Sequence, residues 1–292
     1  MEATTYRGIN FKDVHMLWND SLGKSWPINK TQLEKRVSQG INFVVEEQEN
    51  LIGFINCQYA NKEGQITLIM IKTSHQRKGI GTLLLNKAVE FLRKEGAAKI
   101  FIGSGAGSYF WPGVPKELVN AITFFKKNEF RAIETNFDMV RNLEYYQIPV
   151  EIQEYIKELN LKFDSPTETT KNDLIKFEKL NFPEWVEYFR IATPRNILVA
   201  KIDNTIVGTC ILSNQKEFTW PELLNSTGGF GVLGVSEAYR NKGIGLSLAA
   251  TATQVLKERG NSNSFLGWTY LDKWYGKLGY KVWKEYVYGQ ML

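Results

Sequence analysis

Two short stretches of this 292-residue chain combine the residue types that hold an anion. One is Arg240-Asn241-Lys242-Gly243-Ile244-Gly245, preceded by the apolar run Leu233-Gly234-Val235 and followed by Leu248, Ala249, Ala252, Val255 and Leu256 at helical spacing up to Gly260. The pattern predicts strand, loop, helix. The loop would open the helix, where free backbone N–H groups and the positive end of the helix dipole converge on one point. Two glycines would let the backbone approach the anion closely, which a Cβ would obstruct. The same device stands upstream as Gln76-Arg77-Lys78-Gly79-Ile80-Gly81, after Ile69-Met70-Ile71 and before Leu84, Leu85, Ala88, Leu92 and Gly96. Gly79 and Gly243 are 164 positions apart, which makes the chain an internal duplication.

The elements that must carry these loops fit two domains of about 145 residues each. We expect a first domain over 1–145, a linker over 146–165 around Pro149 and the Ser165-Pro166-Thr167 turn, and a second domain over 166–292. Residues 10–40 suit two short helices either side of Trp26-Pro27. Phe43 to Ile55 and Leu198 to Gly208 read as matching hairpins. Gly53 and Gly208 differ by 155, so the second half holds nine extra residues before its loop, around Phe218 to Leu224. The first half carries an addition of its own, Ser104 to Pro115, which includes Tyr109-Phe110-Trp111.

Composition narrows the function classes. Hydrophobic residues make up 43% of the chain, enough for two cores, and the net charge of +5 is a mild excess. Residues 1–150 carry 19 basic and 15 acidic side chains, unlike the clustered basic face of a nucleic-acid binder but compatible with an acidic small ligand. Cys57 and Cys210 lack metal-ligand spacing and point to a reducing compartment, and no metal site is expected. No apolar signal core stands at the start and no run reaches the ~18 residues of a membrane span, so the expected location is cytoplasmic, with no membrane or nucleic-acid partner.

The loop pattern (Arg or Gln, two free positions, Gly, one free position, Gly or Ala) between strand and helix resembles the pyrophosphate loop of the GCN5-related N-acetyltransferases. The resemblance implies two tandem α/β (α+β) GNAT domains, each a mixed, mostly antiparallel sheet whose central strand pair splays apart between flanking helices. It implies acetyl-coenzyme A as co-substrate, held by Leu233, Val235, Arg240, Asn241, Lys242, Gly243, Ile244, Gly245 and Lys277, and in the first half by Gln76, Arg77, Lys78, Gly79, Ile80 and Gly81. In that family a backbone N–H of the splayed strand, here Val235 or Ile71, meets the carbonyl oxygen as it gains charge. A tyrosine in the helix after the next strand commonly protonates the leaving thiolate.

Here the halves part. Trp274-Tyr275-Gly276-Lys277-Leu278-Gly279-Tyr280 keeps the family tyrosine at Tyr275, whereas Phe124-Phe125-Lys126-Lys127-Asn128-Glu129-Phe130 has Phe125 there and Glu129 in place of the glycine. Catalysis is therefore expected in the second half, with the first degenerate. Asp272, three residues before Tyr275, could take the amine proton, hold a substrate hydroxyl or simply cap the helix; Glu222 and Glu237 are fallbacks. Trp220, Trp268 and Tyr270 are expected at the mouth of the site, where flat faces suit a sugar ring. The aromatic loop and the tandem architecture resemble bacterial glucosamine and glucosaminide N-acetyltransferases of peptidoglycan recycling; tandem halves also resemble mycothiol synthase. The expected acceptor is an amino sugar, with another small amine, a peptide N-terminus or a non-catalytic acyl-coenzyme A sensor as alternatives, in a monomer or homodimer.

Overall fold

The computed structural model describes residues 2–6, 10–103, 109–167, 169–213, 220 and 226–292. Two compact units emerge: Met1–Phe137 together with Lys284–Leu292, and Asp138–Trp283. The first contains β1 (Thr4–Thr5), α1 (Phe11–Ser21), α2 (Lys30–Val37), β2 (Ile41–Glu47), β3 (Asn50–Ala60), β4 (Glu63–Ile71), α3 (Ile80–Lys94), β5 (Lys99–Ile102), β6 (Val114–Pro115) and α4 (Val119–Lys127). Strand β7 (Arg131–Asn142) leads out of it. The second contains α5 (Val150–Glu158), β8 (Lys162–Asp164), α6 (Lys171–Asn181), α7 (Val186–Ile191), β9 (Ile197–Ile202), β10 (Thr205–Ser213), β11 (Thr227–Val235), α8 (Ile244–Glu258), β12 (Asn263–Thr269) and α9 (Asp272–Gly276). The last strand, β13 (Lys281–Met291), starts in the second unit and ends in the first.

In the first unit the strands run β1-β2-β3-β4-β5-β13, with β6 also on β13; in the second they run β8-β9-β10-β11-β12. Within these runs β4 pairs parallel with β5, and β11 with β12. The predicted hairpins close through Gln48-Glu49 and Asp203-Asn204, all with positive φ, the paired left-handed turn whose twist matches that of its strands. Helices α3 and α8 lay apolar stripes on the sheets: Ile80, Leu84, Leu85, Ala88 and Leu92 in one, Ile244, Leu248, Ala252 and Leu256 in the other. Each stops at a left-handed glycine, Gly96 (φ 98°) or Gly260 (φ 83°), and the next N–H turns back to the last turn of the helix.

The division differs from the expected one at both ends. Residues 146–165 are built into the second unit: Tyr146 is buried and donates its hydroxyl to the Ala250 carbonyl at 3.1 Å, Ile152 of α5 is buried, and β8 pairs with β9. Pro149 stands immediately before α5 and starts a helix there. The boundary falls at Asp138, and 284–292 join the first unit because β5 and β6 find their antiparallel partner in β13. Phe110 and Trp111 of the aromatic loop are core residues, with Trp18 stacked on both (5.6 and 5.7 Å) and Trp26 edge-on to Trp111 (5.4 Å). Ser104 to Ser108 of that loop, and all of the Phe218 to Leu224 insertion except Trp220, lie outside the described residues, Glu222 among them.

Candidate active site

The two loops share one conformation. A 3₁₀ turn, Thr73–His75 or Glu237–Tyr239, leads through extended Gln76 (φ −64°, ψ 155°) or Arg240 (φ −67°, ψ 163°). Each helix then opens at a left-handed glycine, Gly79 (φ 85°, ψ −10°) or Gly243 (φ 80°, ψ −9°), with no side chain capping it. Arg77 and Asn241 are left-handed as well (φ 63° and 61°). Alternating handedness turns successive N–H groups to one concave side, the geometry of an anion nest. A Cβ on Gly79 would meet nothing within 4 Å, and one on Gly243 would come nearest the Tyr155 ring, at 3.4 Å. The cradle is thus open to an anion, and the groups turned toward it are backbone N–H donors; Gln76, Arg77, Lys78, Arg240, Asn241 and Lys242 are exposed around it.

The second glycine of each loop does a different job from the expected one. A Cβ on Gly81 would press on the Phe124 ring at 3.3 Å, and one on Gly245 on the Trp274 ring at 3.4 Å. These glycines make room for the helix that carries Phe125 or Tyr275. Ile80 and Ile244 turn into the cores.

Beside each cradle the parallel strands part. Strands β4 and β5 stay in register only from Glu63 with Lys99 to Ile66 with Ile102, and β11 and β12 only from Thr227 with Asn263 to Gly229 with Phe265. Further along, Ile71 stands opposite Gly53 and Val235 opposite Gly208, while Lys72 donates to Ile52 (2.9 Å) and Ser236 to Val207 (3.0 Å). Bonded and non-bonded pairs alternate in an antiparallel ladder. The N–H and C=O of Ile71 and Val235 therefore point away from β3 and β10, into the gap. There Gln76 Nε2 donates to the Ile71 carbonyl (3.2 Å) and Arg240 Nε to the Val235 carbonyl (3.1 Å). The Arg or Gln of the loop thus occupies the carbonyl and leaves the N–H facing the gap.

In the first unit the gap narrows to an apolar cavity of about 60 Å³, lined by Ile66, Ile102, Trp111, Val114 and Phe125 among others. Tyr275 occupies the equivalent turn: the Phe125 carbonyl accepts from the N–H groups of Asn128 and Phe130, and the Tyr275 carbonyl from those of Leu278 and Tyr280. Glu129 holds the left-handed φ (68°) that Gly279 holds at 78°, so the turn survives the substitution at the strain of a non-glycine residue. Around Tyr275 are the rings of Trp274 (4.7 Å), Tyr280 (6.0 Å) and Phe230 (6.2 Å). Phe230 is the first residue of β11 past the paired segment, so the Tyr275 ring lies beside the point where the strands part. Burial raises the Tyr275 pKa above the ordinary tyrosine range, with a smaller push from the Cys210 thiol.

Asp272 is the half-buried first residue of α9; the cap position belongs to Leu271, and no side-chain bond caps the helix. Lys277 ends α9 and is exposed, as is Tyr270. Trp268 is partly exposed and left-handed (φ 51°), with its N–H on Asp138 Oδ1 at 3.0 Å, whereas Trp220 is buried. Leu233 lies half-buried on β11, and Glu237 is exposed in the 3₁₀ turn. His75 pairs with Glu47 (3.1 Å), and His15 with the Ile28 carbonyl (2.9 Å). Among the described residues no group of His, Cys, Asp or Glu is arranged to hold a metal ion, and no helix is long and apolar enough to cross a membrane.

One residue stands out that sequence reasoning passed over. Glu178, on α6, is fully buried; its Oε1 accepts from Thr209 Oγ1 at 2.7 Å, and its Oε2 has no hydrogen-bond partner among the described residues. Burial pushes its carboxyl up to about 7, against a lowering by the Thr209 hydroxyl and with a further push from Glu184. Thr209 is paired with Gly234, the neighbour of Val235.

Two copies of a strand, an anion cradle and a helix, each beside a parallel pair that parts, define the acetyltransferase architecture. The chain belongs to the Acetyltransferase (GNAT) family, whose family model matches residues 11–108 and again 157–280. No curated protein sequence matches the chain. Among solved structures it is similar to a GCN5-related glucosamine N-acetyltransferase region in a fungal multi-domain GH3 β-N-acetylglucosaminidase, with 28% identity and a TM-score of 0.91 over 99% of this chain. The match spans 38% of that protein's chain. A GCN5-related N-acetyltransferase from Sphaerobacter thermophilus (14% identity, TM-score 0.73, 99% of this chain and 94% of that one) shares the fold. So does a tandem GNAT protein of the clavulanic acid biosynthesis pathway (11%, 0.65, 99% and 97%).

Proposed function

We propose that the second half transfers acetyl groups from acetyl-coenzyme A to the primary amine of an amino sugar of the glucosamine type. The observation that carries this is the contrast between two sites with the same cradle and the same parting strands: Tyr275 beside the gap in one, Phe125 in the other. Acetyl-coenzyme A would supply the acetyl group as a thioester. The backbone donors of Arg240 to Gly245 would hold its pyrophosphate, and Gly79 with its neighbours offers a second, equally formed cradle. The Val235 N–H is the donor for the carbonyl oxygen as charge gathers there. Tyr275 keeps its proton at any working pH because burial disfavours the phenolate, and donates it to the departing sulfur. Asp272, on the turn before Tyr275, would hold a sugar hydroxyl, and the exposed Trp268 and Tyr270 would pack on the ring.

The amino-sugar assignment draws on the likeness to the fungal glucosamine N-acetyltransferase region. Its test is thiol release from acetyl-coenzyme A with glucosamine, glucosamine disaccharides, spermidine, amino acids and a peptide with a free N-terminus. Turnover should be highest with the amino sugars. Preference for the peptide or spermidine would move the acceptor class, and coenzyme binding without turnover on any amine would make the protein a sensor.

A further inference from the structure

Helices α1 and α6 are equivalent: both are 11 residues long, and the N–H just beyond each returns to the eighth residue at 2.7 Å, Leu22 to Trp18 and Phe182 to Glu178. Register makes Thr209 the counterpart of Phe54, and Gly234 that of Met70. The first half therefore fills this place with Trp18, Phe54 and Met70, all buried. The second half fills it with a carboxyl, a hydroxyl and a bare Cα. The fold does not require a polar group here, and burying a carboxyl with one oxygen unsatisfied costs stability.

Its position is chemically particular. Paired residues share a face of the ladder, so Glu178, through Thr209, lies on the same face as the position where a Gly234 side chain would stand. That position is covered by Phe182 and Trp185, whose rings a Cβ on Gly234 would meet at 2.5 and 2.8 Å. The next residue along β11 is Val235, the donor at the gap. The titratable group acting on Glu178 is Glu184, of like sign; β10 presents the Thr209 hydroxyl, and the segment after α6 presents the aromatic pair.

We propose that Glu178 is the residue that accepts the proton of the incoming amine, through its free oxygen Oε2. This rests on the reading of the second half as the acetyl-transferring site. The ammonium form of the acceptor gives one proton to the carboxylate; its nitrogen then forms the C–N bond as the C–S bond breaks. Tyr275 protonates the sulfur and recovers a proton from the new amide nitrogen. One ammonium proton thus ends on the thiol and one on Glu178, which returns it to water after the product leaves. A carboxyl pushed up to about 7 by burial suits this task at neutral pH.

The test is Glu178→Gln, with glucosamine and acetyl-coenzyme A, measured as kcat/KM against pH. The wild type should show an acid limb near pH 7. The Gln variant should bind acetyl-coenzyme A normally by calorimetry, lose kcat by about 10²–10⁴-fold, and exchange that limb for a rise that follows the amine's own ionisation. Should the Gln variant not fold, Thr209→Val keeps the carboxyl but removes the hydroxyl that favours its charged form, and should move the acid limb to higher pH. An unchanged limb with activity within about threefold of wild type in the Gln variant, or an unmoved limb in Thr209→Val, overturns the role of Glu178 alone. A wild type that acetylates no amine overturns the underlying reading, and this proposal with it.

Discussion

Glu178→Gln also makes a thermodynamic prediction that does not depend on any substrate. In the folded protein burial moves the Glu178 carboxyl from 4.5 to about 7. At about 1.36 kcal/mol per unit, that displacement corresponds to on the order of 3 kcal/mol. The sign follows from proton linkage: the folded state binds this proton more tightly, so the contribution of Glu178 to stability is intact below about pH 4.5 and is lost as pH rises through about 7. Glutamine does not titrate, and like the protonated carboxyl it is neutral and can accept from Thr209 through its carbonyl oxygen, its amide NH2 standing where the acid O–H would. Wild type and variant should therefore melt together near pH 4 and diverge upward, with the variant the more stable above about pH 8. At roughly 2–4 °C per kcal/mol for a unit of this size, the gap should reach about 6–12 °C. Two compact units make a single two-state transition a poor assumption, so the assay is calorimetry at a series of pH values, following the transition that moves. Differences between the two proteins cancel every other titrating group. Parallel melting curves from pH 5 to 8, or a variant less stable at pH 8, would refute the reasoning.

Tyr275→Phe removes the proton donor while keeping the ring against Phe230 and Trp274, so kcat with glucosamine should fall by about 10²–10⁴-fold at unchanged acetyl-coenzyme A affinity; a loss within about threefold would take Tyr275 out of the mechanism. Gly243→Val and Gly79→Val impose the same left-handed strain (φ 80° and 85°), roughly 1–2 kcal/mol. Similar melting shifts but loss of turnover only for Gly243→Val are expected by calorimetry and thiol release; the reverse would assign catalysis to the first half. A fragment of residues 1–145 lacks the β13 segment that pairs with β5 and β6, and should show molten or aggregated behaviour by circular dichroism and size-exclusion chromatography, whereas co-expression with 146–292 should restore a soluble complex.

The parts legible in the sequence are those whose physics is local. Gly79 and Gly243 must be left-handed, and the helix periodicity after them is strong, so strand, cradle and helix could be read directly, as could the hairpins at Gln48-Glu49 and Asp203-Asn204. The unit boundary was not legible. Pro149 and Ser165-Pro166 are turn signals whether they border a linker or begin elements of a domain, and only pairing shows that β8 belongs to β9 and that 284–291 of β13 serve β5 and β6. Glu178 escaped for a related reason: in Lys176-Phe177-Glu178-Lys179 it reads as the solvated face of an amphipathic helix, and the hydroxyl that meets its carboxyl, on Thr209, is distant in sequence. A signal did exist in the comparison of halves, where Trp18, Phe54 and Met70 give way together to Glu178, Thr209 and Gly234.

That trio bears on how a duplicated acyltransferase divides its labour. A cradle made of backbone N–H groups depends on a few glycines and on a loop conformation, and here the two copies agree to within a few degrees at Gly79 and Gly243. Proton transfer in the proposed mechanism depends on side chains, and one substitution would remove it: Phe125 has the shape of Tyr275 without its hydroxyl. The presence of a formed cradle therefore cannot tell a catalytic half from a silent one. What separates them is whether polar groups are tolerated in the gap and behind it, at a stability cost that apolar packing would have avoided. The second half bears that cost twice, in Tyr275 and in Glu178, while the first has Phe125 and Trp18 at both places. Both devices flank the strand that carries Val235, so the polar investment is concentrated where an acyl group and an amine would have to meet.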